Sequence, residues 1–395
     1  MVQRKEYMDK LILWKERKVI KVVTGIRRCG KSTLLKQFRE FLINSGVQET
    51  QCVFVQLDDI KNEELRDYHK LYEYVTERIT EDNMHYIFLD EVQLVPEFQK
   101  AVDSLYLRDN VDIYLTGSNA YMLSGEIATL LSGRFVEIKM LPFSFKEYYE
   151  MLGGVKDKRE VFKDYYIRGG FPYASTIEDF DAFRDYIMGI YNTVLLKDIV
   201  ERKKVSDVKV LESVIHFLAD NVGNIVSAKK IADTLTSMNR KTSSITVDNY
   251  INALQEAFIM YEAQRYDIKG KQYLQSLSKY YLVDMSIRTV LLGAQARDMG
   301  HILENIVYLE LLRRGYDVYI GKVDTEEVDF VARKGDERIY YQVSATVMDA
   351  TTFEREIRPL KKIQDNYPKY LLTMDEFPIG EDGINQVNII DFLMA

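Results

Sequence analysis

Apolar runs bounded by polar turns alternate with helix-spaced apolar positions through the first third of the chain. Residues 4–18 form a charged segment with Leu11, Leu13 and Trp14 on one side, which predicts a short helix. Its role is open between capping the next strand and covering a bound base. Val19 to Val23 reads as a buried parallel strand that ends at Gly25, and Leu34, Leu35 and Phe38 then recur at helical spacing. Cys52–Asp58 predicts another strand, and the charged stretch Glu63–Glu81 a helix. Further strands are predicted at Tyr86–Leu89, Val111–Thr116 and Phe135–Met140, with a helix before the last of them ending at Leu131-Ser132-Gly133-Arg134. This alternation predicts an α/β parallel sheet.

The pattern then changes twice. Residues 146–203 read as helices, broken at Tyr166-Ile167-Arg168-Gly169-Gly170-Phe171-Pro172. From about residue 206, Val208, Leu211, Ile215 and Leu218 recur at helical spacing, Ser227 caps a short helix (Ala228–Leu235), and a longer helix runs through Tyr250, Leu254 and Phe258. Ala263–Tyr266 and Gln272–Leu274 flank Lys269-Gly270-Lys271 as a two-stranded wing, so this segment has a winged-helix order. Beyond Tyr281–Asp284 come a helix (His301–Arg314) with Glu304 among apolar neighbours, and paired strands at Glu327–Ala332 and Arg338–Ser344.

Within Lys21–Thr33 the chain from Gly25 fits G-x-x-x-x-G-K-[ST] without a gap, between a strand and a helix, which is the context the motif needs. Gly25 and Gly30 let the backbone turn tightly and bring successive N–H groups around phosphate oxygens. The helix start adds unpaired donors and the positive end of its dipole. Lys31 is expected to reach the β- and γ-phosphates of ATP and Ser32 to hold Mg²⁺. The expected nucleotide-binding set is Gly25, Arg28, Cys29, Gly30, Lys31, Ser32 and Thr33. After Tyr86–Leu89, Asp90 is expected to hold Mg²⁺ directly or through water, and Glu91 to orient and activate the attacking water. Without the phosphate loop, such a pair would read as a solvated strand end. Ser118 and Asn119 stand at a strand tip where a polar side chain can sense the γ-phosphate. Spacing does not choose between them, and Asn119 serves equally as a helix N-cap. Arg134, just before a strand, is the candidate finger toward a neighbouring subunit, with a local carboxylate as the alternative partner. Cys29 lies at a helix start near Arg27, Arg28 and Lys31, a setting that lowers a thiol's pKa, so it is expected to alkylate faster than Cys52 with ATP protecting it.

Composition narrows the setting. At 395 residues about two to four domains are expected. No apolar run approaches the roughly 18 residues of a membrane span. Met1–Lys18 lacks an apolar signal core, and the two cysteines, Cys29 and Cys52, do not make a disulfide framework, so a reducing cytoplasm is expected. The net charge of −8 excludes a basic nucleic-acid binder and confines any DNA contact to a local patch. Lys229, Lys230, Arg240, Lys241, Lys269 and Lys271 are candidates for such a patch, with solvated lysines on a protein-contacting winged helix as the alternative.

The phosphate loop, the Asp90-Glu91 strand, the Thr116–Asn119 tip, and Ser132-Gly133-Arg134 followed by Leu141-Pro142-Phe143-Ser144-Phe145 together resemble an AAA+-type ATPase. More narrowly, the chain is similar to a prokaryotic ATPase family related to archaeal-type ATPases. The resemblance implies a P-loop core over residues 1–145, a helical lid over 146–205, a winged helix over 206–283 and a C-terminal nuclease-like domain over 284–395. The Gly-Gly-Phe-Pro step resembles the lid turn of such ATPases. Arg168 is a candidate second sensor, with a structural salt bridge read first. Glu304, Asp329 and Gln342-Val343-Ser344 resemble a PD-(D/E)xK nuclease. There, two anionic ligands hold Mg²⁺ and a lysine steadies the nucleophile. Gln342 and Ser344 depart from that pattern, so no nuclease activity is expected.

The expected activity is Mg²⁺-dependent ATP hydrolysis driving a switch or motor on DNA or a partner protein, in a possible homo-oligomer. The alternatives are a nucleotide-switched DNA-binding regulator or defence component, and, against the third motif, a nuclease.

Overall fold

The computed structural model describes residues 2–120, 133–205, 207–293, 299–381 and 383–395. Two units divide the chain: Met1–Met140 with Glu256–Phe258, and Leu141–Gln255 with Ile259–Ala395. Leu131 and Ser132, the expected helix end before Arg134, lie outside the described residues.

The first unit runs α1 (Lys5–Trp14), β1 (Ile20–Thr24), α2 (Lys31–Asn44), β2 (Cys52–Gln56), α3 (Tyr68–Thr76), β3 (His85–Asp90), α4 (Phe98–Tyr106), β4 (Val111–Gly117) and β5 (Phe135–Lys139). The strands form one parallel sheet in the order β2-β3-β4-β1-β5. β1, β3 and β4 are buried along their whole length, which explains their continuous apolar runs. Lys21 interrupts β1 at no exposed position: its ammonium ion-pairs with Asp112 and donates to the Arg17 carbonyl at 3.0 Å. Placing β4 between β3 and β1 brings the carboxyl ends of these three strands together, where ligands of open α/β sheets bind. The helix expected over Glu63–Glu81 is divided. A 3-10 segment, Ile60–Arg66, precedes α3, and the Asp67 carboxylate caps α3 by accepting from the His69 and Lys70 N–H groups at 3.0 Å.

The second unit opens with helices α5 (Phe145–Met151), α6 (Lys158–Arg168), α7 (Phe180–Thr193) and α8 (Val208–Asp220). Then follow β6 (Ile225–Val226), α9 (Ala228–Ser237), α10 (Ser244–Glu256), β7 (Met260–Asp267), β8 (Gln272–Leu282), α11 (Met285–Leu292) and α12 (Met299–Arg313). The chain ends with β9 (Asp317–Val323), β10 (Glu326–Lys334), β11 (Glu337–Val343), α13 (Ala350–Lys361), β12 (Lys369–Thr373), β13 (Asn385–Asn388) and α14 (Ile389–Met394). All these strands share one sheet, in the order β13-β12-β11-β10-β9-β7-β8-β6. The hairpin β7–β8 and the later strands are joined because β7 pairs in parallel with β9. The expected boundary at 283/284 therefore separates strands of a single sheet.

The Gly-Gly-Phe-Pro step is packed against this unit's interior. A Cβ on Gly169 would stand 1.7 Å from Asp284 Oδ1, and one on Gly170 2.3 Å from the Phe143 carbonyl. Asp284 accepts from the Gly170 N–H at 2.6 Å and caps α11 through the Ser286 N–H at 2.9 Å. Arg168 ion-pairs with Asp164 at 2.9 Å and donates to the carbonyls of Ile177 and Glu178.

Candidate active site

The phosphate loop forms where β1 gives way to α2. Gly25 has φ 148, and a Cβ there would stand 2.1 Å from the Met140 carbonyl, so no larger residue fits. Gly30, at φ 105, precedes α2 without a side-chain cap. A helix start without a side-chain cap is a place where an anion binds. Arg28 also takes a left-handed backbone, at φ 67, with its side chain exposed, and Thr33 is exposed on the first turn of α2. The buried Arg4 donates to the Cys29 carbonyl at 3.2 Å, tying the segment before α1 to the loop.

The Lys31 ammonium is buried, donates to the carbonyls of Gly25 (2.9 Å) and Ile26 (3.2 Å), and lies 3.9 Å from Glu91 Oε1. Asp90 Oδ1 accepts from Ser32 Oγ at 3.0 Å and Thr116 Oγ1 at 2.6 Å. Its other oxygen, Oδ2, is buried without a donor among the described residues. Burial pushes the Asp90 carboxyl up, and the two hydroxyls partly offset this. A buried carboxylate oxygen lacking a donor, beside a serine hydroxyl, suits a hard cation that prefers oxygen ligands, so these residues fit Mg²⁺. Thr116 escaped sequence reasoning. It also accepts the Glu91 N–H at 2.8 Å and so fixes the backbone of the candidate base. Only its place at the end of a strand pointed to it.

Glu91 leaves β3 with a left-handed backbone, φ 55. Its carboxylate accepts from Gln93 Nε2 at 2.5 Å, and the same amide lies 3.3 Å from Ser118 Oγ. Ser118 and Asn119 are both buried at the tip of β4. Arg134 is not brought to this cluster. Its carbonyl accepts from the Ile20 N–H at the start of β1, the opposite end of the strand from the loop. Its guanidinium ion-pairs with Asp103, the local-carboxylate alternative. The reactive-thiol expectation for Cys29 is corrected. The side chain is fully buried, and burial raises its pKa more than Lys31 and Arg4 lower it.

A second cluster of ionisable groups lies in the other unit, in a cleft of about 810 Å³. It brings together Glu304, Asp329, Gln342 and Ser344. Unforeseen from sequence is Lys279 of β8, whose ammonium lies 2.8 Å from Glu304, 2.6 Å from Glu327 and 3.8 Å from Asp329. Burial opposes its charge, yet the carboxylates outweigh this and raise its pKa. Asp329 accepts the Val343 N–H at 2.8 Å, and its carboxyl is pushed well up by burial and by the Glu304 charge. Of the basic candidates, Lys229, Lys230, Lys241 and Lys271 are exposed, whereas Lys269 is held at 2.7 Å by Asp324 and Arg240 donates to the Lys209 carbonyl at 3.3 Å.

Comparison with known proteins agrees with the geometry of the first unit. The family described as AAA domain matches residues 17–149, and a domain of unknown function matches residues 159–298. An uncharacterised protein of Haemophilus influenzae is 40% identical over 400 residues, covering 100% of this chain and 99% of its own length. An uncharacterised protein of Methanocaldococcus jannaschii is 28% identical, over 94% of this chain and 85% of its own. Among solved structures, a Walker-type ATPase of Pyrococcus abyssi is similar in fold, with TM-score 0.50 and 16% identity over 74% of this chain and 96% of that one. No described helix is long and apolar enough to cross a membrane. With the phosphate loop and the parallel sheet in agreement, the chain carries a P-loop AAA-type domain over residues 17–149, and over its whole length it belongs to one family with the Haemophilus influenzae protein.

Proposed function

We propose that this protein binds and hydrolyses ATP with Mg²⁺ and uses the cycle to switch conformation or move a bound DNA or protein partner. The observation that carries the reading is Asp90: one oxygen holds the Ser32 and Thr116 hydroxyls, and the other is buried and free of any described donor. Ser32 and Asp90 would hold Mg²⁺, which neutralises phosphate charge when bound. Lys31 exchanges its loop carbonyls for phosphate oxygens, while Glu91 accepts a proton from the attacking water. ATP turnover measured with and without Mg²⁺ and DNA tests this. Lys31→Ala should abolish tight ATP binding. Glu91→Gln should keep binding and lose about a hundredfold or more in turnover. Wild-type turnover by Glu91→Gln would remove Glu91 from the role of base.

The helix and strand order α8-β6-α9-α10-β7-β8, with β6 and β7 flanking β8, supports a winged helix, and the helices within residues 146–205 suit a lid. Any DNA contact would rest on Lys229, Lys230, Lys241 and Lys271, and a cytoplasmic, homo-oligomeric protein fits the reading. The C-terminal strands support a nuclease-like fold without cleavage, since Lys279 already answers the carboxylate charge that Mg²⁺ would meet. Assays on single- and double-stranded DNA with Mg²⁺ or Mn²⁺ should show no cutting. Cutting that vanishes in Asp329→Ala would reverse this.

A further inference from the structure

Gln93 sits in a short 3-10 turn (Val92–Leu94) directly after Glu91. Its side-chain amide uses its donor end twice, on Glu91 Oε2 at 2.5 Å and on Ser118 Oγ at 3.3 Å. The acceptor end, Oε1, is buried with no donor among the described residues. Leaving that oxygen unpaired has a cost, and turning the amide over would set it against the Glu91 carboxylate instead. The contact is therefore directional: the carboxylate selects the amide's orientation, and the amide in turn limits where the carboxylate points. Among the described residues, Lys31 also lies near Glu91, its ammonium 3.9 Å away and already hydrogen-bonded to two loop carbonyls. Once Lys31 turns to a phosphate, Gln93 is the side-chain donor among the described residues that still holds the base. Its second contact, Ser118, stands at the tip of β4, where a γ-phosphate is expected to be sensed.

We propose that Gln93 is a positioning residue for hydrolysis, holding the Glu91 carboxylate in line for the attacking water and linking it to Ser118. The inference rests on the ATPase reading above. A misplaced base loses rate without losing substrate, and displacement of about 1 Å can cost about a hundredfold.

The test is a double-mutant cycle. ATP turnover and ATP affinity are measured for wild type, Gln93→Ala, Gln93→Met, Glu91→Gln and the two Gln93 changes combined with Glu91→Gln. Gln93→Met keeps side-chain length and volume, so packing loss is separated from loss of the amide. Both Gln93 variants should lower kcat about tenfold to a hundredfold with ATP affinity unchanged. In the Glu91→Gln background they should have no further effect, because the group they position is already disabled. Equal loss in both backgrounds, full activity in Gln93→Met, or a loss of ATP affinity in place of kcat would overturn the inference while leaving the ATPase reading intact. Absence of turnover in wild type under every condition would overturn both.

Discussion

At Asp90 the two oxygens of one carboxylate have different tasks. Oδ1 is fixed by hydroxyls from α2 and β4, and Oδ2 has no hydrogen-bond donor among the described residues. Burial raises the pKa of the Cys29 thiol in the phosphate loop as well. A helix start and nearby cations favour a thiolate only where the sulfur can be solvated, and here it lies beneath the loop with Gly25 against it. Cys29 should therefore react with iodoacetamide more slowly than Cys52 in the native protein, and ATP should change its rate little. Residue-resolved mass spectrometry of the alkylated chain measures this. Faster labelling of Cys29 would mean that the loop opens far more than its packing implies.

Two buried charges decide how elements of the second unit hold together. Asp284 joins the Gly169-Gly170 turn to the start of α11, and burial pushes its carboxyl up to about 6, against the pull of the Ser286 and Gly170 donors. The folded form therefore binds the proton more tightly than the unfolded chain, whose Asp titrates near 3.9. Between about pH 4 and pH 6 this group makes stability fall as pH rises, and above pH 6 its effect is constant. In urea unfolding, the stability of wild type relative to Asp284→Asn should be about 2 kcal/mol greater at pH 4.5 than at pH 7.5. A difference that is flat with pH would show that Asp284 stays ionised throughout.

Lys279 is the corresponding cation, drawing α12, β8 and β10 around one ammonium. Tyr281 adds its hydroxyl to Glu304 at 2.6 Å, and His301 lies 3.6 Å from the other oxygen. Removing the cation strands buried carboxylates, a change that typically costs about 3–5 kcal/mol. Lys279→Met should lower the urea stability of the chain by that order. Adding Glu304→Gln should restore part of it, because one uncompensated charge is then gone. Losses that simply add would mean that the cluster is not a coupled unit.

For the whole molecule the open issue is whether one copy completes the site of another. Arg134 lies at the end of its strand away from the phosphate loop, paired with Asp103 in a half-exposed contact. Such surface pairs contribute about 1 kcal/mol or less, so the guanidinium is free to exchange partners. Within one protomer it is too far along the sheet to serve the loop, so any finger role requires a second copy. Arg134→Ala should lower turnover without weakening ATP binding. Mixing it with Lys31→Ala protein should restore activity beyond either parent, as each variant supplies what the other lacks. No recovery in the mixture would confine Arg134 to its pairing with Asp103.

The phosphate loop, the Asp90-Glu91 strand end and the parallel sheet were legible in the chain because their determinants are local. Gly25, Gly30, Lys31 and Ser32 act at fixed spacing between one strand and one helix, and an apolar run records burial on both faces. Thr116 serves Glu91 from 25 positions away, and Lys279 meets Glu304 across the same separation. Neither pairing leaves a periodic trace, because strand order rather than spacing creates it. The Cys29 environment was misread for a related reason: sequence shows which charges are near, whereas only packing shows how much water reaches the sulfur. The strand order that sets β4 between β1 and β3 decided which polar groups converge at the site. The parallel pairing of β7 with β9 likewise made one sheet from two segments that read separately, since a pairing between strands far apart in the chain is set by tertiary packing and leaves no local spacing in the sequence.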